Sequence, residues 1–152
     1  MGHMENLAPS HARLAAALTE LLGSRFSQSL ATRNQFLAVE GHQSHVPPWG
    51  VAQPADTEEV QRIHALCHDL GIPLIPFGAG SSVEGQLAAT PDRLMLDLRG
   101  LNAVLGIDAK SMTARVQCGV TRLQLDAALK DTGLFFPVDP GADATLGGMA
   151  AT

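Results

Sequence analysis

Residues 76–85 read Pro76-Phe77-Gly78-Ala79-Gly80-Ser81-Ser82-Val83-Glu84-Gly85 and follow the short apolar run Ile72-Pro73-Leu74-Ile75. Three glycines and two serines directly after a strand-like run mark an abrupt departure from regular structure. Glycine is unfavourable inside a regular element and is kept where the backbone takes positive φ or comes close to something else. Serine hydroxyls and bare peptide N–H groups are donors, and no Lys or Arg lies between Pro76 and Gln86. An anion held by this segment would be held mainly by backbone amides, in a concave nest at the carboxyl end of the strand. Ser81 and Ser82 can add their hydroxyls, and Glu84 is expected to turn away or to hydrogen-bond the loop.

Two familiar phosphate motifs do not fit. A dinucleotide fingerprint needs G-x-G-x-x-G between a strand and a helix, whereas Gly78-Ala79-Gly80 meets its next glycine only at Gly85 and no amphipathic helix follows. A Walker A loop needs Lys and Ser or Thr after its second glycine, but Gly80-Ser-Ser-Val-Glu-Gly85 continues with Gln86-Leu87. On spacing alone, a structural turn and a ligand site both remain open. A second region, Asp139-Pro-Gly-Ala-Asp-Ala-Thr-Leu-Gly-Gly148, has the same ingredients. Pro140-Gly141 and Gly147-Gly148 again permit close backbone approach, so the two segments can converge on one extended ligand. Its alternative reading is a mobile terminus.

Outward from these loops, Val51-Ala-Gln53 reads as a brief strand. Asp56 caps a helix whose stripe is Val60, Ile63, Cys67 and Leu70, and Gly71 ends it before Leu74-Ile75. That is a βαβ unit with parallel strands. Arg93–Leu98, Ala103–Ile107 and Thr113–Cys118 read as three more strands, with Ala114, Val116 and Cys118 on the buried face of the last. Thr121–Thr132 reads as a helix stopped by Gly133. Upstream, Leu14, Leu18, Leu21 and Leu22 recur at helical spacing between a Ser10 cap and Gly23, followed by an irregular stretch to His45. The fold class is α+β. Residues 1–45 form an N-terminal helix and approach segment, with residues 1–4 resembling a tag remnant, and residues 46–152 form the main domain. The chain stops at Gly147-Gly-Met-Ala-Ala-Thr152 without a closing element, so more sequence is expected downstream.

The 152 residues carry a formal charge of −5, 45% apolar and 16% charged residues, the composition of a globular domain rather than a disordered chain. No basic stripe points to nucleic acid, and no apolar run is long enough to span a bilayer or to form a signal peptide. Cys67 and Cys118 match no metal or redox spacing and read as reduced, buried thiols. His64 and His68 stand four apart on the helix, a metal-like interval, but no third ligand is evident. They read as solvated side chains, as do His42 and His45.

Pro76–Gln86, Thr121-Arg-Leu-Gln-Leu-Asp126 and Gly133-Leu-Phe-Phe-Pro-Val-Asp-Pro-Gly-Ala-Asp-Ala-Thr-Leu-Gly-Gly-Met149 resemble the FAD-binding domain of the vanillyl-alcohol oxidase and p-cresol methylhydroxylase flavoproteins. Within that superfamily the resemblance is to the branch of cytochrome-type D-lactate dehydrogenases and the glycolate oxidase flavin subunit. It runs from about Phe36 to the end. It implies FAD, with Pro76, Gly78, Ala79, Gly80, Ser81, Ser82 and Gly85 at the diphosphate, and Pro140, Gly141, Thr145, Gly147 and Gly148 along the remainder of the cofactor. Members that attach flavin covalently carry a histidine beside the first loop; none stands there, which implies non-covalent FAD.

The resemblance further implies an N-terminal part of a flavin-dependent 2-hydroxy-acid dehydrogenase, with D-lactate favoured and glycolate or D-2-hydroxyglutarate as alternatives within the family. Its partners would be the hydroxy acid and a cytochrome or quinone acceptor, in the cytoplasm or at a membrane surface. No catalytic residue and no metal ligand is assigned, because family members are about three times longer and those groups are expected beyond Thr152. The competing reading is a nucleotide-binding or interaction module without turnover, whose open strand edges would favour self-association into homo-oligomers.

Overall fold

In a computed structural model the described residues are 7–39, 42–43 and 46–151. The tag-like residues 1–4, His45 and Thr152 lie outside them, and so does the side chain of His42. By its internal contacts the chain divides into two units: residues 1–76 with 82–97, and residues 77–81 with 98–152. Among the described residues no helix is long and apolar enough to cross a membrane.

The first unit begins with α1 (Leu7–Leu22). It starts ahead of Ser10, which lies within it rather than capping it, because Pro9 is tolerated in a first turn where its missing N–H would have no partner anyway. Leu14, Leu18 and Leu22 are buried along one face, and α1 packs against α3 (Thr57–Leu70). The stretch read as irregular holds short elements: β1 (Phe26–Ser27), α2 (Leu30–Arg33), and the antiparallel pair β2 (Ala38–Val39) and β3 (His42–Gln43). α3 starts as expected: Asp56 accepts the Glu59 N–H at 2.8 Å, and Gly71 closes the helix in the left-handed region. Ile63 and Cys67 carry its buried stripe, and burial pushes the Cys67 thiol up to about 11.

The sheet corrects one detail of the βαβ reading. β4 (Gly50–Ala52) and β5 (Leu74–Phe77) are not neighbours, because β6 (Leu94–Asp97) lies between them in the order β1-β4-β6-β5. β4 pairs with β6 in parallel and with β1 antiparallel. The Leu94 and Leu98 N–H groups bond to the Pro73 and Phe77 carbonyls, a same-direction advance that marks β5 and β6 as parallel. Both β4 and β6 are buried at every position, as expected of central parallel strands covered on both faces.

Arg25 on the approach to β1 grips Glu59 through both terminal guanidinium nitrogens, Nη2 at 2.6 Å, and Glu59 also accepts the Ala55 N–H at 2.7 Å. The Arg25 hydrogen bonds and then the Ala55 amide lower the Glu59 carboxyl from 4.5 to about 2. A depressed carboxyl stabilises the fold above its unfolded value and loses that contribution as pH falls toward the folded one. Glu59→Gln should therefore melt about 3 °C below the parent at neutral pH, and the gap should close as pH drops from 4.5 toward 2. A gap that persisted unchanged at low pH would assign the loss to packing instead.

In the second unit, β7 (Val104–Asp108) and β8 (Thr113–Val116) form an antiparallel pair. α4 (Arg122–Leu129) lies behind a capping box in which Thr121 and Gln124 satisfy each other's backbone. Val120, Leu125 and Leu129 form the core, against Val104, Ile107, Val116, Leu134, Phe136 and Leu146. Two expectations fail here. Ala114 is exposed and Cys118 only half-buried; among the described residues β8 is paired with β7 in a two-stranded sheet. The segment from Leu146 is not loop but α5 (Leu146–Ala151), glycines included, because Thr145 caps it: its Oγ1 accepts the Gly148 N–H at 3.2 Å.

Candidate functional site

β5 delivers the first loop. Pro76 is exposed in the strand and has no N–H to give. Phe77 is buried, and its ring packs so tightly under Gly80 that a Cβ there would lie 2.8 Å from Cζ. Gly80 also takes φ +74°, so both space and backbone conformation require glycine. Gly78 is glycine for space alone. Its φ is ordinary, but a Cβ would sit 2.4 Å from the Oγ1 of Thr145, a side chain only 3% exposed.

Thr145 is thus where the two glycine-rich segments meet. Its hydroxyl caps α5 and backs Gly78 at once, and it bridges to Thr121 at the start of α4.

The amide inventory decides what this loop can do. Among the described residues, no acceptor in the chain takes the main-chain N–H of Gly78, Ala79, Gly80 or Ser81. The same holds for Ser82 and Val83, which open the segment belonging to the first unit. Buried backbone donors are nearly always paired, whereas the four consecutive N–H groups of Gly78–Ser81 stand without an acceptor among the described residues, on backbone that is partly exposed. Ser82 Oγ accepts the Gln86 side-chain amide at 2.6 Å and lies 3.5 Å from the Glu84 N–H, and Glu84 is exposed. Gly85 turns the chain back at φ +79°.

The second segment is built differently. Gly147 donates to the Cys118 carbonyl at 2.9 Å and Gly148 to Thr145, so their amides serve the fold. A Cβ on Gly147 would lie 2.6 Å from the Cys118 Cβ, which explains that glycine by packing. Pro140 and Gly141 are exposed, and Gly141 donates to Asp139 at 3.1 Å. Phe135 and Val138 project outward, 76% and 50% exposed.

Two residues passed over in the sequence matter here. Arg99 stacks its guanidinium on the Phe77 ring, 5.2 Å from the centroid, so a cation lies on the ring that supports Gly80 although the loop itself contains none. Gly119 is buried where a Cβ would meet three carbonyl oxygens, those of Leu98, Leu101 and Arg99, at 2.4, 2.8 and 3.0 Å. A lone glycine between a strand and a helix gave no signal beyond a turn. Among the described residues no group of three His, Cys, Asp or Glu can hold a metal, and His64 and His68 are exposed.

The sequence profile of the FAD binding domain family matches residues 48–152. A probable mitochondrial D-lactate dehydrogenase of Danio rerio is 44% identical over 106 residues, covering 70% of this chain and 21% of that protein. Glycolate oxidase subunit GlcD of Bacillus subtilis is 36% identical over 103 residues, covering 66% and 22%. The chain spans about a fifth of the length of these curated relatives. Among solved structures, an alkyldihydroxyacetonephosphate synthase superposes with a TM-score of 0.83 at 26% identity, covering 93% of this chain and 29% of the other.

Proposed function

The chain belongs to the FAD binding domain family, and from that premise we propose that Gly78–Ser81 hold the diphosphate of a non-covalently bound FAD. The observation that carries this reading is the run of unpaired N–H groups from Gly78 to Ser81. A diphosphate needs several donors converging on a small volume. Backbone amides provide them without the conformational entropy of long basic side chains, and hydrogen bonds to an anionic acceptor are roughly twice as strong as neutral ones. The packing supports it too: the space that a Cβ would take at Gly78 and Gly80 is filled by Thr145 and Phe77, which hold the loop from beneath. Pro140, Gly141 and Thr145 would lie along the remainder of the cofactor, Pro140 and Gly141 by exposed backbone and Thr145 by keeping both loops in place. Gly147 and Gly148 act there through close packing rather than as donors.

In the whole protein, the reading is a flavin-dependent dehydrogenase of 2-hydroxy acids, with D-lactate oxidised to pyruvate as the favoured reaction. Bound FAD supplies the hydride acceptor; the part played by this chain is to bind and orient it. The substrate reading rests on the identity to D-lactate dehydrogenases and the glycolate oxidase subunit. The synthase likeness argues that this fold serves other reactions too. Electrons would then pass to a cytochrome or quinone.

The test is a visible spectrum after desalting, taken for a version of the protein extended to the length of its relatives. Retained flavin absorbance is expected, and bleaching by D-lactate faster than by glycolate or D-2-hydroxyglutarate. Ser81→Asp places a carboxylate among the free amides and should weaken FAD about 100-fold, some 3 kcal/mol. Unchanged affinity in that variant eliminates this loop as the phosphate site.

A further inference from the structure

The segment Thr121–Asp126 stands out in the sequence, yet FAD binding as proposed gives it no role. Its side chains reach forward to the second glycine-rich segment. Asp126 Oδ1 accepts the Phe136 N–H at 3.1 Å, while its Oδ2 accepts from Arg122 Nη1 at 3.2 Å. Arg122 Nε is buried and has no hydrogen-bond acceptor among the described residues, and it faces Asp139 Oδ1 at 3.7 Å. That carboxyl in turn accepts the Gly141 N–H. The far end of the segment is tied to the backbone of α4: Arg122 N–H donates to the Ala144 carbonyl and Leu123 N–H to the Asp143 carboxylate Oδ1, both at 3.1 Å.

One arginine therefore sits between two carboxylates, each of which holds one backbone amide of residues 136–141. Between those anchors the segment turns Val138 to the outside, and Phe135, just before the first anchor, is exposed as well. An exposed aromatic on an unsupported loop would fold back onto the nearest apolar surface; here polar anchors hold the backbone instead.

We infer that Arg122 is a positioning residue: with Asp126 and Asp139 it clamps residues 136–141 in one conformation before any ligand arrives. The inference rests on the reading of that segment as lying along FAD only for its effect on affinity, not for the clamp itself. Three features separate the clamp from an ordinary helix pair four residues apart, which contributes little. Both carboxylates are shared with loop amides, the Arg122 side chain is about four-fifths buried, and its Nε lies in ion-pair distance of Asp139, 3.7 Å from Oδ1.

The experiment is residue-resolved amide hydrogen exchange on the full-length protein, in the parent and in Arg122→Met, Arg122→Lys and Asp139→Asn, with FAD titrations alongside. Arg122→Met should speed exchange at Phe136 and Gly141 at least tenfold while Leu125 and Leu129 keep their protection, and should raise the FAD Kd about tenfold. Arg122→Lys should recover much of both, since a cation again lies between the carboxylates. Asp139→Asn, a change at an exposed side chain that the fold will tolerate, should affect Gly141 and spare Phe136. Unchanged exchange at Phe136 and Gly141 in Arg122→Met overturns the inference. Equal loss of protection at Leu125 and Leu129 also overturns it, because the arginine would then serve only general stability. Faster exchange at Phe136 and Gly141 with undiminished FAD affinity upholds the clamp and removes that segment from the cofactor site.

Discussion

Gly78→Ala is expected to lower FAD affinity about 1,000-fold in the full-length protein, and Thr145→Ala in the same chain is expected to restore most of it. The new methyl would meet Thr145 Oγ1 at 2.4 Å. That oxygen cannot simply rotate away: threonine is stiff at χ1, the side chain is 3% exposed, and turning it forfeits the Gly148 N–H bond. With so little room to relax, overpacking at the upper end, about 3 kcal/mol, plus a lost cap of roughly 1 kcal/mol gives about 4 kcal/mol, or three decades in affinity. Removing the threonine side chain beyond Cβ leaves the alanine facing an atom at 3.5 Å, an ordinary contact. Thr145→Ala alone loses only the cap and should cost about tenfold. The check is isothermal titration with all three variants. A double variant as weak as Gly78→Ala alone would mean that Thr145 is not what the methyl strikes.

Gly119→Ala should damage the second unit itself. Three carbonyl oxygens surround the position, and they are backbone atoms fixed by the Leu101 N–H to Leu98 O turn and by Gly119's own bond to Leu101 O at 2.7 Å. No side-chain deletion can relieve that clash. A loss of about 3 kcal/mol is expected, which lowers the melting temperature by roughly 10 °C. In contrast to Gly78→Ala, no partner substitution should rescue it. A melting temperature within 2 °C of the parent would show that the Leu98–Leu101 turn yields easily.

The departure from regular structure after β5 was legible in the sequence because glycine and serine after an apolar strand have few structural explanations, and Gly78–Ser81 are indeed outside any helix or strand. The order of parallel strands was not legible: nothing in Val51–Gln53 or Leu74–Ile75 records that Leu94–Asp97 is inserted between them, since strand order is settled by long-range burial. The alternation in Thr113–Cys118 suggested a buried face, of which Val116 packs against the core while Ala114 is exposed. At Gly147 and Gly148, glycine's poor helix propensity hid α5, whose start depends on a cap and on close approach to Cys118. Arg99 and Gly119 gave no local sign because their importance lies in contacts with distant residues.

The second unit takes Phe77–Ser81 from an earlier stretch of chain than the rest of itself. During synthesis, those residues leave the ribosome well before Thr145, so β5 must display the loop before its backing exists. Cutting the gene between codons 97 and 98 would part the loop from that threonine. Of the two halves, only their recombination, as in a split-protein complementation assay, would rebuild the pair.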